Sequence, residues 1–266
     1  MVVLVPFFMA GFDTIAQSAP EADPDVKFKE IAKILVLSIL AAGIFYALII
    51  ISTGSVSPWQ TYAVADPPAM SVLLRDAYQG GIGSFIYILV MIGTLAGLFT
   101  TWNGMFMAAA RLLQSMGNTG LLPKVFAKEH KKYKTPVTGS IFCFFAAAIG
   151  PFIGMKFIDP LTNLGSVAFV IGWLLTCLSA YMLRKKEPNL HRRFEVPGAN
   201  KTIVIAVIIS AAIVVLTFIP GQPAFMGVEG LVLFFAWLFI GFLFYYYTNA
   251  GDKGLKEEER KKIFGE

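Results

Sequence analysis

The chain has 266 residues, 56% of them hydrophobic and 15% charged, with a mean hydropathy of +0.68. A water-soluble domain keeps its apolar share nearer about 45–50%, so an ordinary soluble globule is excluded and a membrane protein is indicated. Cys143 and Cys177, the two cysteines, lie deep in apolar stretches, which excludes a disulfide framework or a cysteine metal cluster.

Residues 34–51, 80–110, 135–155, 160–183, 202–228 and 230–251 carry no Asp, Glu, Lys or Arg. About 20 such residues cross a bilayer core. With the uncharged opening 1–12, the pattern predicts an all-α membrane protein with seven transmembrane segments. They fall at about residues 1–19, 32–52, 84–113, 136–156, 160–183, 202–220 and 229–249, with a tail over 251–266. The opening lacks the charged region and small-residue cleavage site of a secretory signal.

The first segment, residues 1–19, is interrupted by Pro6, Gly11 and Asp13. A continuous lipid-facing helix would avoid all three, so a broken helix is expected. Breaks at membrane depth are tolerated where the freed backbone is buried in protein or lines a wet cavity. In secondary transporters they form the substrate site; the alternative is a kink that serves packing alone. Asp13, costly inside a span at about 2.5–3.5 kcal/mol, either attracts a substrate amine or a coupling cation, or caps the inner half-helix over 14–19.

Residues 52–83 form a long outer loop with a helix signal, Asp66 followed by Pro67, Pro68 and an amphipathic run to Tyr78. It reads equally as a lid over a pathway or as inert cover. The third segment carries a small and polar stripe, Gly93, Gly97, Thr101, Gly104 and Ala108, with Thr100 and Asn103 beside it. Gly93 and Gly97 form a GxxxG, a helix-packing motif; the sharper alternative has the Thr100 and Thr101 hydroxyls facing a cation or substrate. The fifth segment repeats the stripe at Gly165, Ala168, Gly172, Thr176 and Ser179, where packing suffices. No phosphate loop, HExxH, Ser-His-Asp set or paired carboxylates occurs, and His130 and His191 sit in basic loops. An enzyme is therefore not expected.

Lys and Arg in short loops hold those loops in the cytoplasm. All of the 22 basic residues except Arg75 and Lys156 fall after the first, third, fifth or last segment. The tail is therefore expected in the cytoplasm, and this charge pattern reads as topology rather than nucleic-acid binding. Seven crossings would then put Met1 outside, so an odd number of upstream spans is expected to be missing from this chain.

Three stretches together resemble the amino acid, polyamine and organocation (APC) permease superfamily. FFMAGFDTIAQSAPEADP, from Phe7, is similar to that family's sixth span, with its aromatic-rich G-F-D break. WNGMFMAAARLLQSMGNTGLLPKVF, from Trp102, with Thr135 and Pro136 beyond it, resembles the eighth span and its loop. LRKKEPNLHRRFEVPG, from Leu183, resembles a third family motif. Pro20 stands where an acid is frequent and Arg193 where Pro is frequent, departures that touch the cytoplasmic gate.

The resemblance implies the sixth to twelfth spans of a LeuT-like inverted-repeat transporter fold lacking the first five. It implies a secondary-active, alternating-access carrier of amino acids or related amines in the plasma membrane, coupled to a proton, sodium or exchange, with no cofactor. Met9, Ala10 and Gly11 fall at the unwound backbone expected to hold the substrate amine, and Phe7 or Phe8 matches the gating aromatic. Asp13 joins this substrate set. Thr100, Thr101 and Asn103 match a part of the eighth span that helps form a cation site in sodium-coupled relatives. Because the first and fifth spans also contribute to the site, this chain is not expected to transport alone. Competing readings are a seven-span receptor or retinal protein, disfavoured by a last segment without lysine, and a half-transporter completed by a partner subunit supplying the missing N-terminal spans.

Overall fold

The computed structural model describes residues 4–14, 28–56, 73–75, 77–78, 80–188 and 195–248. Over these the chain is helical, with no strand and one isolated bridge, Glu129 to Pro136. The helices are α1 (Val5–Met9), α2 (Phe28–Val56), α3 (Gly81–Asn118), α4 (Val137–Ile153), α5 (Ile158–Lys186), α6 (Ala199–Phe218) and α7 (Gly227–Thr248). A 3-10 turn, Met155–Phe157, joins α4 to α5. Helices α2, α3, α5, α6 and α7 are long and apolar enough to cross a membrane. At 17 residues, α4 is shorter.

Several helices outrun the charge-free windows from which they were expected. α3 continues through Arg111 to Asn118, and α5 takes in Asp159 at its start and Arg184, Lys185 and Lys186 at its end. On α5 the acid in the first turn and the bases in the last complement the helix dipole, so these charges extend the helix rather than end it; Arg111 lies seven residues inside the end of α3. Of the expected outer-loop helix, Leu73–Arg75 and Ala77 are helical. Arg75 sits 5.9 Å from the centre of the Tyr87 ring on α3. Asp66, Pro67, Pro68, Pro20, Arg193, His191 and the tail 251–266 lie outside the described residues, as does most of the inner half-helix 14–19.

Two contacts sort the helix ends. The Thr248 hydroxyl at the end of α7, which bonds the Phe244 carbonyl of its own helix at 2.8 Å, lies 3.3 Å from the Leu121 carbonyl just beyond α3. The Asn163 amide near the start of α5 donates to the Met226 carbonyl, 3.3 Å, just before α7. The ends of α3 and α7 therefore share one face, and the starts of α5 and α7 share the other.

The core lies between α5, α6 and α7. Val167, Met226 and Phe234 are buried together, with Leu4, Leu164, Ile171, Phe218 and Leu231 packed around them. Phe218 and Phe234 meet edge to face at 5.3 Å, a geometry aromatic rings favour. Met226 N–H donates to the Thr217 carbonyl, 3.1 Å, which ties the α6–α7 turn over this core. α3 and α4 cross closely at Gly139, where a side chain would come within 2.7 Å of the Ala110 carbonyl. The loop from α3 to α4 folds on His130. Its Nδ1 accepts from the Lys132 and Tyr133 N–H groups, 3.2 Å each, and the His130 backbone N–H donates to the Thr135 carbonyl at 2.8 Å. That histidine closes a turn.

Candidate functional site

The opening segment is broken where Gly11 and Asp13 indicated. α1 ends at Met9, Ala10 is extended (ψ 157°), and helix resumes at Asp13. Gly11 has φ +117°, a backbone conformation that a residue with a Cβ resists. Pro6 does not cause the break: it stands in the first turn of α1, where a missing N–H is no loss.

Contacts to α5 fix the depth of the break. The Phe7 N–H donates to the buried Ser166 hydroxyl, 3.0 Å, and the Phe7 ring covers Gly165. Farther along, Phe12 lies against Trp173, 5.5 Å between ring centres. At 1.5 Å per residue, Ser166 is about 12 Å from the start of α5 and Trp173 about 20 Å from its end. The break thus sits level with the middle of a membrane-length helix.

Asp13 is the first residue of the resumed helix, and its carboxylate reaches back to accept from the Gly11 N–H, 3.0 Å. The Thr14 hydroxyl and N–H both donate to the Gly11 carbonyl, at 2.6 and 3.2 Å. The sequence left Asp13 between a ligand group and a cap; the contact seen here holds the break in shape.

A pocket of about 320 Å³ opens at the break, lined by Phe8, Met9, Ala10, Gly11 and Phe12 and by Ser38, Ile39, Ala42 and Tyr46 of α2. Small-molecule sites begin near this size, roughly 300 Å³. Among the expected substrate residues, Phe8, Met9, Ala10 and Gly11 line it. Phe7 turns to α5 and Asp13 to the Gly11 backbone. The candidate cation residues Thr100, Thr101 and Asn103 on α3 are exposed and do not line the pocket; the Thr100 hydroxyl donates to the Gly97 carbonyl, 2.9 Å. α3 approaches the break through Met105, one turn beyond Thr101, whose methyl faces Gly11. A Cβ at Gly93, Gly97 or Gly104 would meet nothing within 4 Å, so the stripe has no packing partner among the described residues.

The α2 wall was not anticipated. Its signal lay in the sequence, since Ser38, Ala42 and Tyr46 recur every four residues and so share one face of an otherwise aliphatic helix.

A model of the amino acid permease family matches residues 1–245. The chain belongs to the amino acid permeases of the APC superfamily. With its membrane-length helices, this permease is an integral, multi-pass membrane protein. It is similar to the branched-chain amino acid permease BcaP of Bacillus subtilis (strain 168), 29% identical over 94% of this chain and 50% of that protein. It is also similar to the methylthioribose transporter of the same organism, 29% identical over 90% of this chain and 48% of the relative. Similarity to the D-serine/D-alanine/glycine transporter of Escherichia coli (strain K12) is 22%, over 70% of this chain and 39% of the relative. The chain spans about half the length, or less, of these relatives.

Proposed function

We propose that this permease chain carries the substrate-binding break of a secondary-active, alternating-access carrier for amino acids or related amines. The observation that carries the reading is the interrupted helix at Ala10–Phe12, level with the middle of α5 and opening onto the pocket against α2. Freed backbone carbonyls at such a break attract an ammonium group or a cation, the arrangement used by transporters built on discontinuous helices. Family membership and the relatives' names support an amino acid or similarly small polar solute; coupling would be to a proton or sodium. The seven segments read from the sequence, with Thr100, Thr101 and Asn103 as cation candidates, belong to this proposal. So do a plasma-membrane location and a tail in the cytoplasm.

The site is shared with further spans, the family's first five, supplied by the same polypeptide or by a partner subunit. The uncovered faces of α2 and α3 favour this over a self-sufficient seven-helix receptor. The test is uptake of labelled amino acids into liposomes by the carrier as its native gene encodes it, beside the 266-residue chain alone. Saturable uptake by the former and none by the latter is expected. Equal uptake by the chain alone would overturn the shared site. Gly11→Ala, strained by roughly 1–3 kcal/mol at φ +117°, should lower uptake by about tenfold or more.

A further inference from the structure

Tyr46 lines the pocket wall and also makes a specific contact at the break. Its hydroxyl donates to the Phe8 carbonyl, 3.2 Å, and its ring lies 6.4 Å from the Phe8 ring at 61°. Phe8 is the next-to-last residue of α1. Carbonyls in the last turn of a helix have no donor from the helix itself and must find one elsewhere.

The carbonyls around the break can be followed one by one. Phe7 accepts from the Ala10 N–H, 3.2 Å; Phe8 accepts from Tyr46; Gly11 accepts from Thr14. Met9 and Ala10 accept from no donor among the described residues, and both line the pocket. A phenol donates one hydrogen bond, and its oxygen keeps lone pairs that accept others. The Tyr46 oxygen therefore sits at the pocket wall with its proton committed to Phe8.

We propose that Tyr46 is a positioning residue of the substrate site: by occupying the Phe8 carbonyl, it leaves the Met9 and Ala10 carbonyls as acceptors for a substrate ammonium and fixes its register along the break. The inference rests on the functional reading above. Without the hydroxyl, the Phe8 carbonyl becomes a third, competing acceptor. An ammonium then binds in more than one register and is told less sharply from its N-methylated form, which offers fewer N–H donors.

The experiment is amino acid uptake by the carrier as its native gene encodes it, unmodified and with Tyr46→Phe, which keeps the ring and removes the hydroxyl. Each is measured with a transported amino acid and its N-methyl analogue. KM for the amino acid is expected to rise about five- to tenfold, the effect of one hydrogen bond, with kcat changed less than about twofold. The preference over the N-methyl analogue should fall by a similar factor. Saturable uptake with unchanged KM and unchanged preference in Tyr46→Phe would overturn this inference alone. Absence of amino acid uptake by the unmodified carrier would overturn the functional reading, and this inference with it. Failure of Tyr46→Phe to accumulate in the membrane would mark the hydroxyl as a staple of α2 onto α1, and that too overturns the positioning role.

Discussion

α2 and α5 are each 29 residues long, and α2 is the more apolar of the two. Yet no described side chain of α2 is buried, whereas α5 buries Pro160, Ser166, Val167 and Val170 against α1, α6 and α7. Apolarity thus decides that a helix crosses a membrane and leaves open what it touches. Lipid is as apolar as leucine, so contact between helices comes from small residues, close fit and isolated hydrogen bonds. α5 has these at Gly165, Ser166 and Asn163; α2 concentrates them in the single face Ser38, Ala42 and Tyr46, turned to the break.

The contrast is open to direct attack. Phe234→Ala empties the centre of the α5–α6–α7 core and should cost about 3–5 kcal/mol, read from denaturant titration of the chain in detergent micelles. Gly139→Ala, forcing a methyl toward the Ala110 carbonyl, should cost about 1–3 kcal/mol, while Gly97→Ala on the open stripe of α3 should leave the same titration unchanged. Ser166→Ala leaves the Phe7 N–H without its acceptor and should cost about 1 kcal/mol. A comparably small effect is expected for Leu40→Ala on α2, 57% exposed, within about 0.5 kcal/mol in this chain. A loss at Leu40 comparable with that at Phe234 would show that α2 packs in solution against something other than α1.

Where the sequence was informative, it was so for physical reasons. A glycine followed two residues later by an acid, inside an apolar run, marked the break at Gly11 because few other arrangements make those residue types tolerable there. Charge-free windows located the helices but set the end of α5 short, as Arg184 shows, since a basic residue near a helix C-terminus is favourable. The Gly93 to Gly104 stripe looked like a packing seam and faces none of the described helices, because spacing shows which residues share a face and says nothing of the neighbour. The contacts of Asp13 with the Gly11 N–H and of Tyr46 with the Phe8 carbonyl depend on how the chain doubles back, which no local pattern encodes.

The shortness of α4 has a consequence for the surrounding lipid. Seventeen residues rise about 26 Å, less than the roughly 30 Å of a typical hydrocarbon core. Its neighbour α5, at 29 residues, has length to spare and can lean. An α4 that crosses must stand nearly upright and draw the leaflets inward around it. Bilayer thickness would then act as a lever on a permease whose α4 crosses: a thicker membrane would press first on α4 and on the 3-10 turn Met155–Phe157 that joins it to α5.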